Sequence, residues 1–375
     1  MDQTTTRVHP ALAPTRLGRI DLSNRFAVAP MTRVSATPDG VPTAEMADYY
    51  ARFAEGGFGL VITEGTYPDS SYSQGYLNQP GLSTAAQVEG WREVTGRVHA
   101  AGRPIIAQLM HAGAISQGNP HRSELVGPSA VQPVGEMMPE YGGRGPWPTP
   151  RELSAGEIDD IIAGFAAAAV RAQEAGFDGV EIHAANGYLL DQFLTVYTNE
   201  RTDTYGGPVA NRIRLTAEVA EAIVAATPAE LVVGVRLSQT KVNDFEYRWP
   251  GGAYDAEVIF SGLAATGIDY LHIASEGRDW LETARLQGGH TLTGLARRIS
   301  GLPVIANGGM HDPAQADLVL TDGHADLLAV ARGALANPDL PRRLAENLEL
   351  TRFDRTMLEP TVTLANVRQW QTGRL

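Results

Sequence analysis

The sequence predicts an α/β fold: a single (β/α)8 barrel of the TIM type, with a long loop after its third strand. Three observations carry this. Eight short apolar runs recur along the 375 residues, each of strand length and each followed by a longer amphipathic run. The runs are continuously apolar rather than alternating, as in parallel strands buried on both faces. The first run leads into Pro30-Met31-Thr32-Arg33, where an open, doubly wound sheet would want a glycine-rich turn.

Taken in order, the strands fall at 26–30, 60–63, 104–109, 179–183, 231–237, 270–274, 303–306 and 326–331. Between them, Ile158, Ile162, Phe165, Ala169 and Ala172 recur at helical steps and paint one face of a helix. Ile213, Ala217, Ala220 and Val224 do the same. Ser154, followed three residues later by Glu157, is a capping box that opens the first of these helices. The stretch 111–151 is rich in Gly and Pro and follows the third strand. A loop of that length is expected to be a lid or a binding loop over the C-terminal ends of the strands. Residues 1–20 read as an N-terminal extension and 352–375 as a tail, so that 1–375 forms one domain.

Composition narrows the function classes. Hydrophobic residues make up 43% and charged residues 19%, enough for a large core. A formal charge of −13 repels phosphate backbones and argues against nucleic acid as a partner. The chain has no cysteine, which excludes disulfides, thiolate nucleophiles and iron–sulfur clusters; no metal site is expected. The polar start lacks the layout of a signal peptide, and no apolar stretch is long enough to span a bilayer. A cytoplasmic enzyme is the expectation, with homo-oligomerisation left open.

Barrel enzymes place reacting groups where strands end. The fourth strand runs into His183-Ala184-Ala185-Asn186-Gly187-Tyr188. One helical turn past the strand would aim His183 and Asn186 the same way, as two donors to one oxygen. Tyr188 adds a phenol that can deliver a proton. Gln108 ends the third strand and Arg236 the fifth; an amide and a fixed cation suit a ring that gains negative charge, such as reduced flavin. The alternative for Arg236 is an interior ion pair with Glu181 or Glu64. Gly308-Gly309 and Arg332 close the seventh and eighth strands, where barrels commonly bind phosphate. The alternative there is a plain turn, with Arg332 paired to a carboxylate.

These residues together resemble the old yellow enzyme family of FMN-dependent ene-reductases and NADH:flavin oxidoreductases. The resemblance runs from Asn24-Arg25 and Ala29-Pro30-Met31-Thr32-Arg33, through Thr63-Glu64-Gly65, to about residue 340. Its most specific parts are Glu181-Ile182-His183-Ala184-Ala185-Asn186-Gly187-Tyr188-Leu189-Leu190-Asp191-Gln192-Phe193-Leu194 and Asn199-Glu200-Arg201-Thr202-Asp203, continuing to Tyr205-Gly206-Gly207 and Asn211-Arg212. It implies bound FMN, with Pro30, Met31, Thr32 and Gly65 along the ring, Gln108 at the pyrimidine edge and Arg236 beside N1. It also implies Gly308, Gly309, Ala331 and Arg332 around the phosphate. His183 and Asn186 would grip a carbonyl or nitro oxygen, and Tyr188 would be the proton donor. The implied reaction is ping-pong. NADPH or NADH passes hydride to N5 and leaves; an activated alkene then takes the hydride at its β-carbon and a proton from Tyr188. Met110 stands where many relatives carry an aromatic and is expected to shape the substrate pocket. Trp370 and Arg374 are candidates for a closing role, with packing as the alternative.

Rival barrel chemistries fit less well. A glycosidase wants two facing carboxylates at strand ends, whereas Glu181 points one layer deeper than His183, and both Glu64 and Glu181 read as buried partners of arginines. A metal-dependent hydrolase wants a His-x-His on the first strand, which has none. A flavin carrier would have no use for the His183, Asn186 and Tyr188 trio.

Overall fold

The computed structural model describes residues 8–275, 279–286 and 289–373. Eight parallel strands close into a barrel in chain order: β1 (Phe26–Val28), β2 (Leu60–Ile62), β3 (Ile105–Leu109), β4 (Gly179–Asn186), β5 (Val232–Lys241), β6 (Tyr270–Ala274), β7 (Val304–Asn307) and β8 (Leu327–Val330). All eight expected strands are present. β4 and β5 run further than expected, into the residues read as loop.

Helices follow each strand and form the outer layer. They are α1 (Ala44–Glu55), α2 (Ala85–Ala100), α3 (Ala155–Glu174), α4 (Leu189–Leu194), α5 (Val209–Arg212), α6 (Arg214–Ala226), α7 (Ala253–Ala264), α8 (Trp280–Thr283), α9 (Leu292–Ser300), α10 (Pro313–Thr321), α11 (Arg332–Ala336), α12 (Leu340–Ala345) and, in the tail, α13 (Leu364–Thr372). α3 starts at the expected capping box, with Ser154 Oγ accepting from the Glu157 N–H and the Glu157 carboxylate from the Ser154 N–H. Its buried face runs through Ile158, Ile161, Phe165, Ala168, Ala169 and Ala172. In α6 the expected Ile213 and Ala220 are buried, together with Leu215, Thr216, Val219 and Ile223. Ala217 and Val224 lie at its margin, because the larger side chains remove more apolar surface from water.

The barrel interior is apolar below and polar at the mouth. Ala27, Leu60, Ile62, Ile106, Val232, Ile305 and Leu327 pack inside. The N-terminal segment does more than extend the chain: an antiparallel hairpin, Thr15–Leu17 with Ile20–Leu22, sends Leu17 and Leu22 into that interior cluster and plugs the end opposite the mouth. Gly234 makes room for Tyr270 inside: a Cβ there would lie 2.1 Å from the Tyr270 ring. The 111–151 stretch carries only short elements, a 3-10 turn at Gly113–Ile115, another at Pro139–Tyr141, and a two-residue strand at Val126–Gly127 paired with Arg151–Glu152. No helix among the described residues is long and apolar enough to cross a membrane.

Candidate active site

Inward parity along the strands sets the top layer of the barrel. Gln108, Glu181, His183, Arg236, His272 and Asn307 are all buried there. Ladder pairing puts Gln108 beside Glu181, and Arg236 between His183 and His272. Glu181 is the hub. It accepts from the Gln108 amide at 2.8 Å, from the Tyr270 hydroxyl at 3.0 Å and from His272 Nδ1 at 2.9 Å. Burial alone would raise its carboxyl, but His272, Arg236 and Gln108 together hold it below the usual carboxylate range. His272 is itself pushed down by burial, with the charge of Glu181 opposing that shift.

The expectation that Glu181 and Glu64 pair with arginines fails: among the described residues neither forms such an ion pair. Glu64 accepts from the Arg33 backbone N–H at 2.7 Å and from the Tyr50 hydroxyl at 3.2 Å. Burial pushes its carboxyl up to about 7. Its work is to hold the loop after β1, where Pro30, Met31 and Thr32 line the rim half-buried, and the Arg33 side chain closes back on the Thr32 carbonyl at 2.7 Å. Arg236 is freed by the same arrangement. Its Nη2 reaches Asn307 at 3.5 Å, and its Nε is buried with no partner. A buried guanidinium N–H without an acceptor costs free energy unless a ligand supplies one.

His183 and Asn186 do not reach a common side through a helical turn. Both lie on β4, which stays extended to Asn186. Regular alternation would send positions 183 and 186 to opposite faces. Instead the register against β5 shifts between Ala184 and Asn186, and Asn186 adopts a left-handed backbone with φ +63°, which Asn tolerates better than most residues. The corner is fastened by the Asn186 N–H donating to Ser238 Oγ at 2.8 Å and the Val242 N–H donating to the Asn186 carbonyl at 3.1 Å. Burial, then the charge of Arg236, pushes the His183 imidazole well below its ordinary value. It is therefore neutral, and its Nδ1 is buried without a partner. Tyr188 caps the start of α4. Its ring packs edge-on against His183 at 4.9 Å between centroids, and its hydroxyl lies 2.6 Å from that of Tyr76.

Tyr76 was not expected from the sequence; it sits in the loop after β2, away from any strand end. Its ring lies 4.5 Å from that of Tyr141 in the 111–151 loop, tilted by 32°. Met110 belongs to the same apolar cluster, with Tyr76, Trp147 and Tyr188, and its sulfur packs over Gly65, which has no room for a side chain. The 111–151 loop thus packs Tyr141 and Trp147 against Tyr76, Met110 and Tyr188. The tail touches the rim from outside: the Val362 N–H donates to the Glu140 carbonyl at 3.2 Å, and the Leu364 N–H to Ser35 Oγ at 3.0 Å. Trp370 packs at the margin of the hydrophobic core and donates to Asp354 at 3.4 Å; Arg374 lies outside the described residues.

The third part of the mouth is the corner where β7 and β8 end. Gly308 and Gly309 both have left-handed backbones, φ +110° and +73°. Ala331 and the exposed Arg332 lead into α11. The Asp279 carboxylate lies where a Gly309 Cβ would stand. His311 is pushed down by burial and then by the charge of Arg332, with Asp312 and Asp279 acting in the opposite sense. A phosphate at this corner would have to displace the Asp279 carboxylate from beside Gly309.

The residues present fit FMN on chemical grounds. Arg236 Nε and His183 Nδ1 are buried and unpartnered on paired strands, Gln108 is held by Glu181, and at the ends of β7 and β8 the left-handed Gly308 and Gly309 and the exposed Arg332 offer backbone N–H groups and a cation. Comparison with known proteins agrees. Residues 11–351 match the NADH:flavin oxidoreductase / NADH oxidase family. A flavin oxidoreductase of Emericella nidulans is 37% identical over 372 residues, covering 93% of this chain and 94% of that protein. The 12-oxophytodienoate reductase 1 of Oryza sativa subsp. japonica is 36% identical over 358 residues, covering 92% and 89%. Among solved structures, the old yellow enzyme homologue from Zymomonas mobilis superposes with a TM-score of 0.84 at 34% identity, covering 94% of this chain and 96% of that one. Morphinone reductase in complex with tetrahydroNAD gives 0.81 at 35% identity, covering 93% of each. The chain belongs to the NADH:flavin oxidoreductase / NADH oxidase family, the old yellow enzyme family, and is an FMN-dependent oxidoreductase that draws on a nicotinamide reductant.

Proposed function

We propose that this oxidoreductase is an ene-reductase, reducing C=C bonds activated by a carbonyl or nitro group. One observation carries the reading. His183, with a buried, unpartnered Nδ1, is the ladder partner of Arg236 and packs against the Tyr188 ring, and, three residues on, Asn186 is turned by a left-handed backbone. Relatives named 12-oxophytodienoate reductase and morphinone reductase support it.

FMN, when bound, supplies the two-electron chemistry between nicotinamide and substrate; Gln108, Arg236 and the rim residues Pro30, Met31, Thr32 and Gly65 would hold its ring, and Gly308, Gly309, Ala331 and Arg332 its phosphate. The protein's own part falls to the donor trio. His183 and Asn186 donate to the substrate oxygen and draw charge toward it, which leaves the β-carbon electron-poor. As negative charge grows on that oxygen, two such bonds lower the barrier by several kcal/mol, on the order of 3–4 for each well-placed donor. Tyr188 delivers the proton that completes the α-carbon, and the Tyr76 hydroxyl at 2.6 Å orients its phenol. The Arg236 guanidinium would supply a cation to balance negative charge gained in the site. Met110, Tyr76, Tyr141 and Trp147 give an apolar wall, and the pliable Met110 suits substrates of varied shape.

The test separates the two half-reactions. FMN-loaded protein is reduced anaerobically with NADPH or NADH, then mixed with enones, maleimides, nitroalkenes or nitrate esters while flavin absorbance is followed. At least one activated alkene is expected to restore the oxidised spectrum faster than oxygen does. Tyr188→Phe is expected to slow that step about a hundredfold and to leave reduction by the nicotinamide nearly unchanged. If no alkene outpaces oxygen, or if both half-reactions fall equally, the reading fails.

A further inference from the structure

Lys241 is the only lysine in the chain; every other one of the 30 Lys and Arg residues is an arginine. Lysines usually sit at the surface. This one is buried at the end of β5, its side chain 2% exposed, and bonded at 2.6 Å to Asp191, whose side chain is 0% exposed. The Tyr247 ring lies 4.6 Å from the ammonium and closes it off further. Burial pushes the ammonium down and the Asp191 carboxyl up, while their mutual attraction opposes both shifts. Removing such a pair from water is costly, and an apolar pair of the same shape is often no less stable. Stability alone is therefore a poor reason for it.

Position supplies a better one. The second oxygen of Asp191 accepts from the Gly187 N–H at 2.7 Å, and Gly187 sits between Asn186 and Tyr188. On the other strand, Lys241 is the ladder partner of Asn186. A chain of contacts thus runs from Lys241 through Asp191 to the peptide that joins the two substrate-side residues. The ammonium head is compact and offers three donors, whereas a guanidinium is broad and planar. The compact ammonium suits an enclosed site between Asp191 and the Tyr247 ring.

We propose that Lys241, acting through Asp191, is a positioning residue for the substrate side of the site: the pair fixes the Gly187 peptide and with it the left-handed turn at Asn186 and the start of α4 at Tyr188. This rests on the reading of Asn186 and Tyr188 as substrate-side groups, and the experiment keeps the two questions apart. The proteins compared are FMN-loaded wild type, Lys241→Met, and the double variant Lys241→Met with Asp191→Asn, which removes both charges and keeps an acceptor for the Gly187 N–H. Hydrogen exchange followed by mass spectrometry reports the segment 184–195. In Lys241→Met its exchange is expected to rise about tenfold or more while α1 to α3 keep theirs. The double variant is expected to return to within about threefold of wild type. In parallel, the alkene concentration that half-saturates reoxidation of the reduced protein should rise about tenfold in Lys241→Met, with FMN content unchanged. Unchanged exchange at 184–195, an equal rise across the whole barrel, or wild-type alkene saturation in Lys241→Met would overturn the proposal. A wild type that no alkene reoxidises would sink the ene-reductase reading instead, and the exchange data would still decide whether Lys241 holds the corner.

Discussion

Replacing Gly234 by alanine should reach the active site from inside the barrel. The new Cβ would stand 2.1 Å from Cζ and 2.2 Å from Cε1 of Tyr270, against the roughly 3.5–4.0 Å of an ordinary carbon contact. The ring must retreat by more than an ångström among fully buried neighbours. Its hydroxyl then leaves Glu181, now 3.0 Å away. Overpacking of this kind costs about 1–3 kcal/mol, and losing a hydrogen bond to a carboxylate about 1.5–3 kcal/mol. The stiffer unfolded chain returns about 0.5 kcal/mol, leaving a net loss of about 2–5 kcal/mol. Over 375 residues the unfolding entropy is about 0.8 kcal/mol/K, so Tm should fall by about 3–6 °C. Glu181 also holds Gln108, so the variant should retain FMN less tightly. Scanning calorimetry with and without added FMN measures both effects. Gly262→Ala is the control. It lies in α7 with nothing within 4 Å of its Cβ, and should stabilise by about 0.5–1 kcal/mol. A Gly234→Ala protein with wild-type Tm and wild-type FMN retention would refute this chain of contacts.

Two further outcomes follow from particular groups. Burial pushes His111 down from 6.5 to about 4, so between those pH values the unfolded chain binds a proton that the folded one refuses. That makes stability fall on acidification, with the loss beginning near pH 6.5 and complete near pH 4. From pH 7 to pH 5 this amounts to about 2 kcal/mol. Urea titrations at the two pH values should show that loss, and it should shrink in His111→Gln; an unchanged slope would exclude His111 as its source. Gly309→Ala combines a backbone at φ +73° with a Cβ 2.1 Å from the Asp279 carboxylate. It should weaken FMN binding about tenfold or more, as read by release on dilution, and wild-type retention would show that the β7–β8 corner takes no part.

The barrel was legible because its strands are continuous apolar runs, a pattern that survives whatever packs around it. The N-terminal hairpin was not: two three-residue strands leave too little alternation to read, and its purpose shows only when Leu17 and Leu22 enter the barrel. At the site, Gln108, His183, Asn186, Tyr188 and Arg236 could be named as candidates, but not how they are held. A register shift and one left-handed residue, rather than a helical turn, redirect Asn186. Glu64 and Glu181 found hydroxyls, amides and an imidazole in place of arginines, since partners across a barrel leave no mark on local spacing. Some signals were present and unread. Inward parity on β6 marks Tyr270 and His272 as interior polar residues, and a single lysine in an apolar strand marks Lys241. Tyr76 and the lid residues carry no such mark, because their places follow from loop paths set by tertiary contacts.

The central claim is that His183 and Asn186 face the open side of a flavin held by Gln108 and Arg236. Titration of FMN-loaded protein with a para-substituted phenol tests it most directly. Wild type should develop a long-wavelength charge-transfer band as the phenolate stacks on the ring, and His183→Ala should need about a hundredfold more phenol to reach it. A colourless protein that takes up no FMN, or a His183→Ala variant that binds the phenol as tightly as wild type, would contradict it.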